Sequence, residues 1–268
     1  MTDTSDYSSQ LAFAKDLALQ AGGIMRQYFW GNDQQVTQKA DTTLVTVADT
    51  TINQLVIDQV NARFPQHGVR GEEASVRLDS NELWVCDPID GTNGFTTGEP
   101  TAVFSLAYVV DGVPTVAVTL DPFQNRLYSA VKGQGTLCND EPVHVSQRDV
   151  QGALIAGPGS FGEIDRTIDL FRALRDAGMR VRMFGGAVFK GNLIADGRMD
   201  GFVFPHRGAH DMAALKLIIE EAGGKMTDIE GNEQRYDQPL RGAVASNGVI
   251  HEHLLQAVQA HGIDKLLK

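Results

Sequence analysis

The sequence predicts an α+β first half over residues 1–148 and a layered α/β second half over 149–268, packed as one unit. Three observations lead there. Amphipathic helical stretches open the chain, a β-meander fills its middle, and beyond a polar stretch at 145–151 short apolar runs alternate with helical ones. No repeat, low-complexity segment or long linker separates the halves. A chain of 268 residues can bury a sizeable core.

Residues 8–30 read as a helix because Leu11, Ala14, Leu17, Ala18, Ala21, Ile24, Met25, Tyr28 and Phe29 recur at three- and four-residue steps, with Gly31-Asn32 as the stop. Residues 49–64 form a second helix, striped by Ile52, Leu55, Val56, Val60 and Phe64 and ended by Pro65. Residues 83–86 read as a buried strand leading into a loop at Asp87-Pro88. The runs 103–110 and 113–120 flank Asp111-Gly112, a two-residue hairpin signal, and 126–131 adds an antiparallel strand. In the second half, strands at 153–156, 181–184, 201–204 and 243–245 alternate with helices at 164–177, 187–195, 211–222 and 250–260.

Lys and Arg number 23 and Asp and Glu 34, a net charge of −11. Nucleic acid and anionic membranes are met by pooled basic residues, so neither is an expected partner. A small phosphorylated substrate stays open if metal ions supply the positive charge. No apolar run approaches the ~20 residues of a membrane span. Residues 1–7 lack a basic and an apolar signal region, and two cysteines make no disulfide framework, so a cytoplasmic location is expected.

Carboxylates gather beside glycine or proline at Gly71-Glu72-Glu73, at Asp87-Pro88-Ile89-Asp90-Gly91-Thr92 and at Asp211, with Asp49 as a fourth candidate. Taken singly, Asp49 and Asp211 read as helix N-caps, and the glutamate pair as solvated surface. The Asp87–Asp90 turn is different. Pro88 fixes one φ and Gly91 permits an unusual one, so two carboxylates can converge, and a hard divalent cation would offset their repulsion. The Ile89 carbonyl is a further candidate ligand, and the Gly91 and Thr92 N–H groups candidate anion donors.

The segment Trp84-Val85-Cys86-Asp87-Pro88-Ile89-Asp90-Gly91-Thr92, with Phe95, resembles the signature of the inositol monophosphatase family of lithium-sensitive, Mg²⁺-dependent phosphatases. Residues 39–49, 64–73 and 211–224 resemble three further motifs of that family in order, and the likeness runs over about residues 39–254. It implies a five-layer αβαβα sandwich, usually a homodimer. It implies two or three Mg²⁺ ions per site, one on Glu72, Asp87 and the Ile89 carbonyl, a second on Asp87, Asp90 and Asp211, and a third helped by Glu72 through water. It implies that Asp49 and Thr92 orient and deprotonate the attacking water, with Glu73 nearby. Asn93, Gly186, Ala187, Lys190 and Phe204 fall on the substrate side. The function implied is hydrolysis of a small phosphorylated metabolite, an inositol phosphate or sugar phosphate. Alternatives are a 3′(2′),5′-bisphosphate nucleotidase, a histidinol-phosphatase and a non-catalytic regulatory binding protein.

The chain departs from the family pattern in places. His210 stands where the family carries Trp, Phe204 where inositol-hydrolysing members carry Glu, and Gly94 where Asn is common. Lys190 and Tyr236 resemble the bisphosphate nucleotidase branch, although Lys190 also reads as a solvated helix residue. His206 and His210 offer two nitrogens for Zn²⁺ without an assignable third ligand. His251 and His253 read as surface, Cys86 as core and Cys138 as structural. Residues 157–162 lack the lysine of a phosphate-binding loop.

Overall fold

The computed structural model describes residues 6–31, 34–39, 43–157, 161–206 and 208–261, without the side chains of 161–166. The expected helix stop at Asn32, residues 40–42 and part of 157–162 lie outside the described residues.

Helices α1 (Ser8–Tyr28) and α2 (Val47–Arg63) are separated by a small ribbon, β1 (Thr37–Gln38) and β2 (Leu44–Val45). Then follow β3 (Gly68–Gly71), β4 (Ser75–Val76), β5 (Glu82–Asp90), the short α3 (Thr92–Thr97), β6 (Val103–Val110), β7 (Val113–Asp121), β8 (Arg126–Val131), β9 (Thr136–Cys138) and β10 (Glu141–Pro142). The rest comprises β11 (Leu154–Gly157), α4 (Phe161–Asp176), β12 (Arg180–Met183), α5 (Ala187–Ala195), β13 (Gly201–Phe204), α6 (Ala209–Glu221), β14 (Lys225–Thr227), β15 (Ala243–Ser246) and α7 (His251–Ala260). Strands β4, β9, β10 and β14 escape sequence reading because two or three residues cannot display a period of two.

An eight-stranded sheet runs β10-β9-β8-β7-β6-β5-β3-β4, antiparallel except where β3 lies parallel to β5. A five-stranded sheet runs β12-β11-β13-β15-β14, parallel over its first three strands. The hairpin at Asp111-Gly112 takes φ of 51° and 84°, the double left-handed turn that matches strand twist.

Strand alternation builds the layers. Trp84, Cys86, Phe104, Leu106 and Tyr108 turn to one face of the large sheet and join the core under α1 and α2. Leu83, Val85, Ala107 and Val109 turn to the other and meet α5 and α6. Ala156, Ala243 and Ala245 of the second sheet close that same central core, while Ile155 and Val244 face α4 and α7. The order is αβαβα. Both faces of the large sheet are covered, which is why β6 and β7 read as near-continuous apolar runs.

His251 corrects the surface reading. It is fully buried, its two ring nitrogens 3.0 Å from the hydroxyls of Thr227 and Ser246. Burial lowers its pKa to about 4. Because the folded state prefers the neutral ring, this stability is present above about 6.5 and is lost as pH falls through about 4. His251→Gln is expected to be less stable than the parent at pH 7, with the gap closing by up to about 3 kcal/mol towards pH 4. Urea unfolding at both pH values checks this; parallel pH curves for the two proteins would refute it. His253 is exposed, as expected.

Candidate active site

A cleft of about 990 Å³ opens at the end of β5, bounded by the starts of α3, α5 and α6. Strand β5 does not stop at Asp87-Pro88, as the proline suggests. It continues to Asp90 through a bulge: Asp87 pairs with Ser105 and Asp90 with Val103, so three steps on β5 oppose two on β6. Residues three apart on a regular strand point to opposite faces. The extra residue cancels that inversion and lets both aspartates turn towards the cleft.

Each aspartate is fixed by backbone donors. Asp87 Oδ1 accepts from the Ile89 N–H at 3.0 Å. Asp90 Oδ1 and Oδ2 accept from the Ala187 and Val188 N–H groups at 3.0 and 2.7 Å, seating the start of α5 on β5. Gly186 precedes that helix at φ 71°, and a Cβ there would lie 2.6 Å from the Thr101 carbonyl oxygen. Only glycine permits both the angle and the approach.

Ligand oxygens of Asp87, Asp90 and Asp211 lie within 4.8 Å of one another. Burial, then the charges of Glu72, Asp211, Asp90 and Asp49, pushes Asp87 well above the usual carboxylate range. Burial and the Asp211 charge raise Asp90 to about 7, against the pull of the two α5 N–H groups. Burial also raises Asp211, with His210 opposing. Three crowded carboxyl groups, Asp87 and Asp90 buried and Asp211 partly so, that resist ionisation on their own fit a hard divalent cation, which would relieve both the repulsion and the desolvation.

Asp49 is not the N-cap of α2. Thr46 is, and the two form a capping box: the Asp49 N–H donates to the Thr46 hydroxyl oxygen at 3.4 Å and Asp49 Oδ2 accepts from the Thr46 N–H at 2.7 Å, with the Thr46 hydroxyl 2.5 Å from the same carboxylate oxygen. The pattern Thr-x-x-Asp is the sequence signal that would have revealed it. Its other oxygen, Oδ1, faces the Thr92 hydroxyl at 3.4 Å, and that hydroxyl also lies 3.1 Å from the Ile89 carbonyl. Burial raises Asp49 to about 6, partly offset by the Thr46 donors. Asp211 likewise is not a cap; Gly208 precedes α6 and Asp211 sits in its first turn.

Glu72 and Glu73 are not solvated surface. Lys39 Nζ bridges them, 2.9 Å from Glu72 and 2.5 Å from Glu73. Burial works against the Lys39 charge, but the two carboxylates outweigh it and hold its pKa above the ordinary value. Burial raises Glu73 despite that partner. Lys39 was legible only as the edge of a motif, since its partners are more than thirty residues away.

Glu72, Asp87, Ile89, Asp90, Gly91, Thr92, Asn93, Gly186, Ala187, Lys190, Phe204 and Asp211 all line the cleft, whereas Asp49 and Glu73 do not line it and bond to the lining residues Thr92 and Lys39. Lys190 is 8% exposed, which corrects the solvated reading. Phe204 is buried and meets His206 edge-on at 5.1 Å. Tyr236 lies in the central core and is not among the cleft residues. Cys86 and Cys138 are both buried, Cys138 within reach of the Arg126 charge, although burial still raises its thiol.

The inositol monophosphatase family profile matches residues 6–262. An inositol monophosphatase of Mesembryanthemum crystallinum is 31% identical, over 93% of this chain and 96% of its own. A histidinol-phosphatase of Chlorobaculum parvum is 33% identical, over 92% and 96%. The solved structure of a Thermotoga maritima inositol monophosphatase superposes with a TM-score of 0.86 at 28% identity, over 96% of this chain and 99% of that one. With the five layers, the bulged β5 and the carboxylates at its end accounted for, the chain belongs to the inositol monophosphatase family.

Proposed function

We propose that the protein is a Mg²⁺-dependent phosphomonoesterase that hydrolyses a small phosphorylated metabolite. The observation that carries this reading is the convergence of Asp87, Asp90 and Asp211 beside the Asp49–Thr92 pair. Glu72, Asp87 and the Ile89 carbonyl would hold one cation, and Asp87, Asp90 and Asp211 a second, with a third near Glu72. When bound, the ions supply charge neutralisation for the phosphate and acidify water.

The chain's own groups do the positioning. The Thr92 hydrogen can serve one acceptor at a time. If the Ile89 carbonyl served as a cation ligand, the Thr92 hydrogen would be left to Asp49 Oδ1 and the hydroxyl lone pairs would be free to accept from the water that Thr92 orients. Asp49, ionised above about pH 6, receives the proton through Thr92, with Glu73 close by. The Gly91 and Thr92 amides contact the phosphate. Asn93, Gly186 and Ala187 border the leaving group. Such placement suits phosphoryl transfer, which asks mainly for alignment and charge compensation.

Lys190 and Phe204 favour a second reading of the substrate. A buried lysine in the wall suits a second anionic group, and Phe204 offers an apolar contact in place of a hydroxyl-binding Glu. Both features support a 3′(2′),5′-bisphosphate nucleotide over an inositol phosphate; the likeness to a histidinol-phosphatase keeps histidinol phosphate as the third candidate. A homodimer in the cytoplasm completes the proposal. Among the described residues no helix is long and apolar enough to cross a membrane.

Purified protein is expected to release phosphate from at least one of inositol, sugar, histidinol and nucleotide phosphates with Mg²⁺ present, and to stop with a chelator. Silence across that panel, together with a stoichiometric partner in a pull-down, would favour a regulatory binding role instead.

A further inference from the structure

The residue before the last cluster aspartate is a histidine, and it stands where a ligand would. A ring nitrogen of His210 lies within 4.8 Å of carboxylate oxygens of Glu72 and Asp87. Its Nε2 is 3.5 Å from Asp211 Oδ2, and its side chain, 27% exposed, borders the cleft. Three elements thus meet at one point: the turn after β3, the bulged end of β5 and the first turn of α6. Gly208 permits the approach. A Cβ there would fall 2.1 Å from Asp211 Oδ2 and 3.1 Å from His210 Nε2. The other histidine of the cleft, His206, packs against Phe204 and belongs to neither cluster.

We propose that His210 supplies a nitrogen ligand to a cation held between Glu72 and Asp87, so that this position prefers a first-row transition cation, for which Mn²⁺ serves as the probe, over Mg²⁺. The inference rests on reading the carboxylates as a metal centre. Its chemistry is that of donor type. Mg²⁺ is hard, dehydrates reluctantly and takes oxygen ligands, which suits Asp87, Asp90 and Asp211. An imidazole nitrogen favours first-row transition cations, so one histidine makes the two positions unequal. The competing role for His210 is an imidazolium that merely offsets neighbouring carboxylates; it predicts no metal–nitrogen bond.

The test uses the full chain, stripped of metal and loaded with Mn²⁺. Pulsed electron paramagnetic resonance should show the ¹⁴N coupling of a directly bound imidazole, replaced by ¹⁵N coupling when histidines are ¹⁵N-labelled. The coupling should persist in His206→Phe and vanish in His210→Phe. Calorimetry should show Mn²⁺ affinity at the affected position falling on the order of tenfold or more in His210→Phe, a scale that even indirect ligand changes reach, with Mg²⁺ binding changed less. His210→Gln serves as the second variant should the phenylalanine prevent folding. Mn²⁺ binding without nitrogen coupling, or coupling that survives loss of His210, overturns the inference and leaves the carboxylate centre standing. Absence of any Mn²⁺ or Mg²⁺ binding by the parent protein overturns both.

Discussion

Asp87→Asn should abolish turnover while making the metal-free protein more stable. Among the described residues, Asp87 is the one carboxylate common to both clusters of candidate ligands. Asparagine keeps its shape and an oxygen for the Ile89 N–H, so the backbone of the bulge has no cause to move. The variant loses the charge that both cation positions share. Mg²⁺-dependent phosphate release, measured on the best substrate of the panel, should fall by at least about 10³-fold, and the stabilisation of the protein by Mg²⁺ should disappear. Stability in chelator should change the other way. At pH 8 the folded metal-free protein must either ionise Asp87 among its neighbours or take up a proton that the unfolded chain does not hold. Asparagine avoids both costs. A gain in stability is expected, read as a rise in the thermal midpoint. Most substitutions at buried positions destabilise, so the sign is diagnostic. Activity within tenfold of the parent, or a midpoint that still rises with Mg²⁺ as before, would remove Asp87 from the centre.

The second large effect is on pH. Folding raises Asp49 from 3.8 to about 6 and Asp90 from 3.8 to about 7, chiefly by burial. Groups raised in the folded state contribute stability that is fully present below about pH 3.8 and is lost as pH climbs through their folded values. The metal-free protein should therefore weaken between pH 4 and 7, on the order of 4 kcal/mol once the coupling of neighbouring carboxylates is allowed for. His251 slopes the opposite way over much of that range, so the carboxylate contribution is best read in the His251→Gln background. Saturating Mg²⁺ should flatten or reverse the trend, because cation binding favours the ionised carboxylates and adds roughly 2.7 kcal/mol at a hundredfold excess over its dissociation constant. Urea unfolding in chelator and in Mg²⁺ across that range makes the comparison. Stability that stays level or rises with pH in chelator would mean that the carboxylates are better solvated than their burial implies.

Local chemistry was enough for much of this protein. Periodicity located α1 and α2, because each buries one face in a repeating register; near-continuous apolar runs located the meander, because both faces of its sheet are covered; and Asp111-Gly112 marked its turn, because few residue pairs accept two left-handed angles. The ligand candidates were legible as residue types, since carboxylates beside glycine and proline are conspicuous wherever they fall. What the neighbours of those residues are was not legible. Lys39 holds Glu72 and Glu73 from the other side of α2 in the sequence, His210 meets Glu72 and Asp87 from the second half of the chain, and His251 is held in the core by Thr227 and Ser246. The bulge in β5 is the sharpest case. The sequence by itself determined that two aspartates stand three residues apart, a spacing that on a regular strand would send them to opposite faces. Only the pairing of β5 with β6, one residue out of step between Asp87 and Asp90, turned them to the same cleft, because strand register is set by the partner strand and not by the residues that it aims.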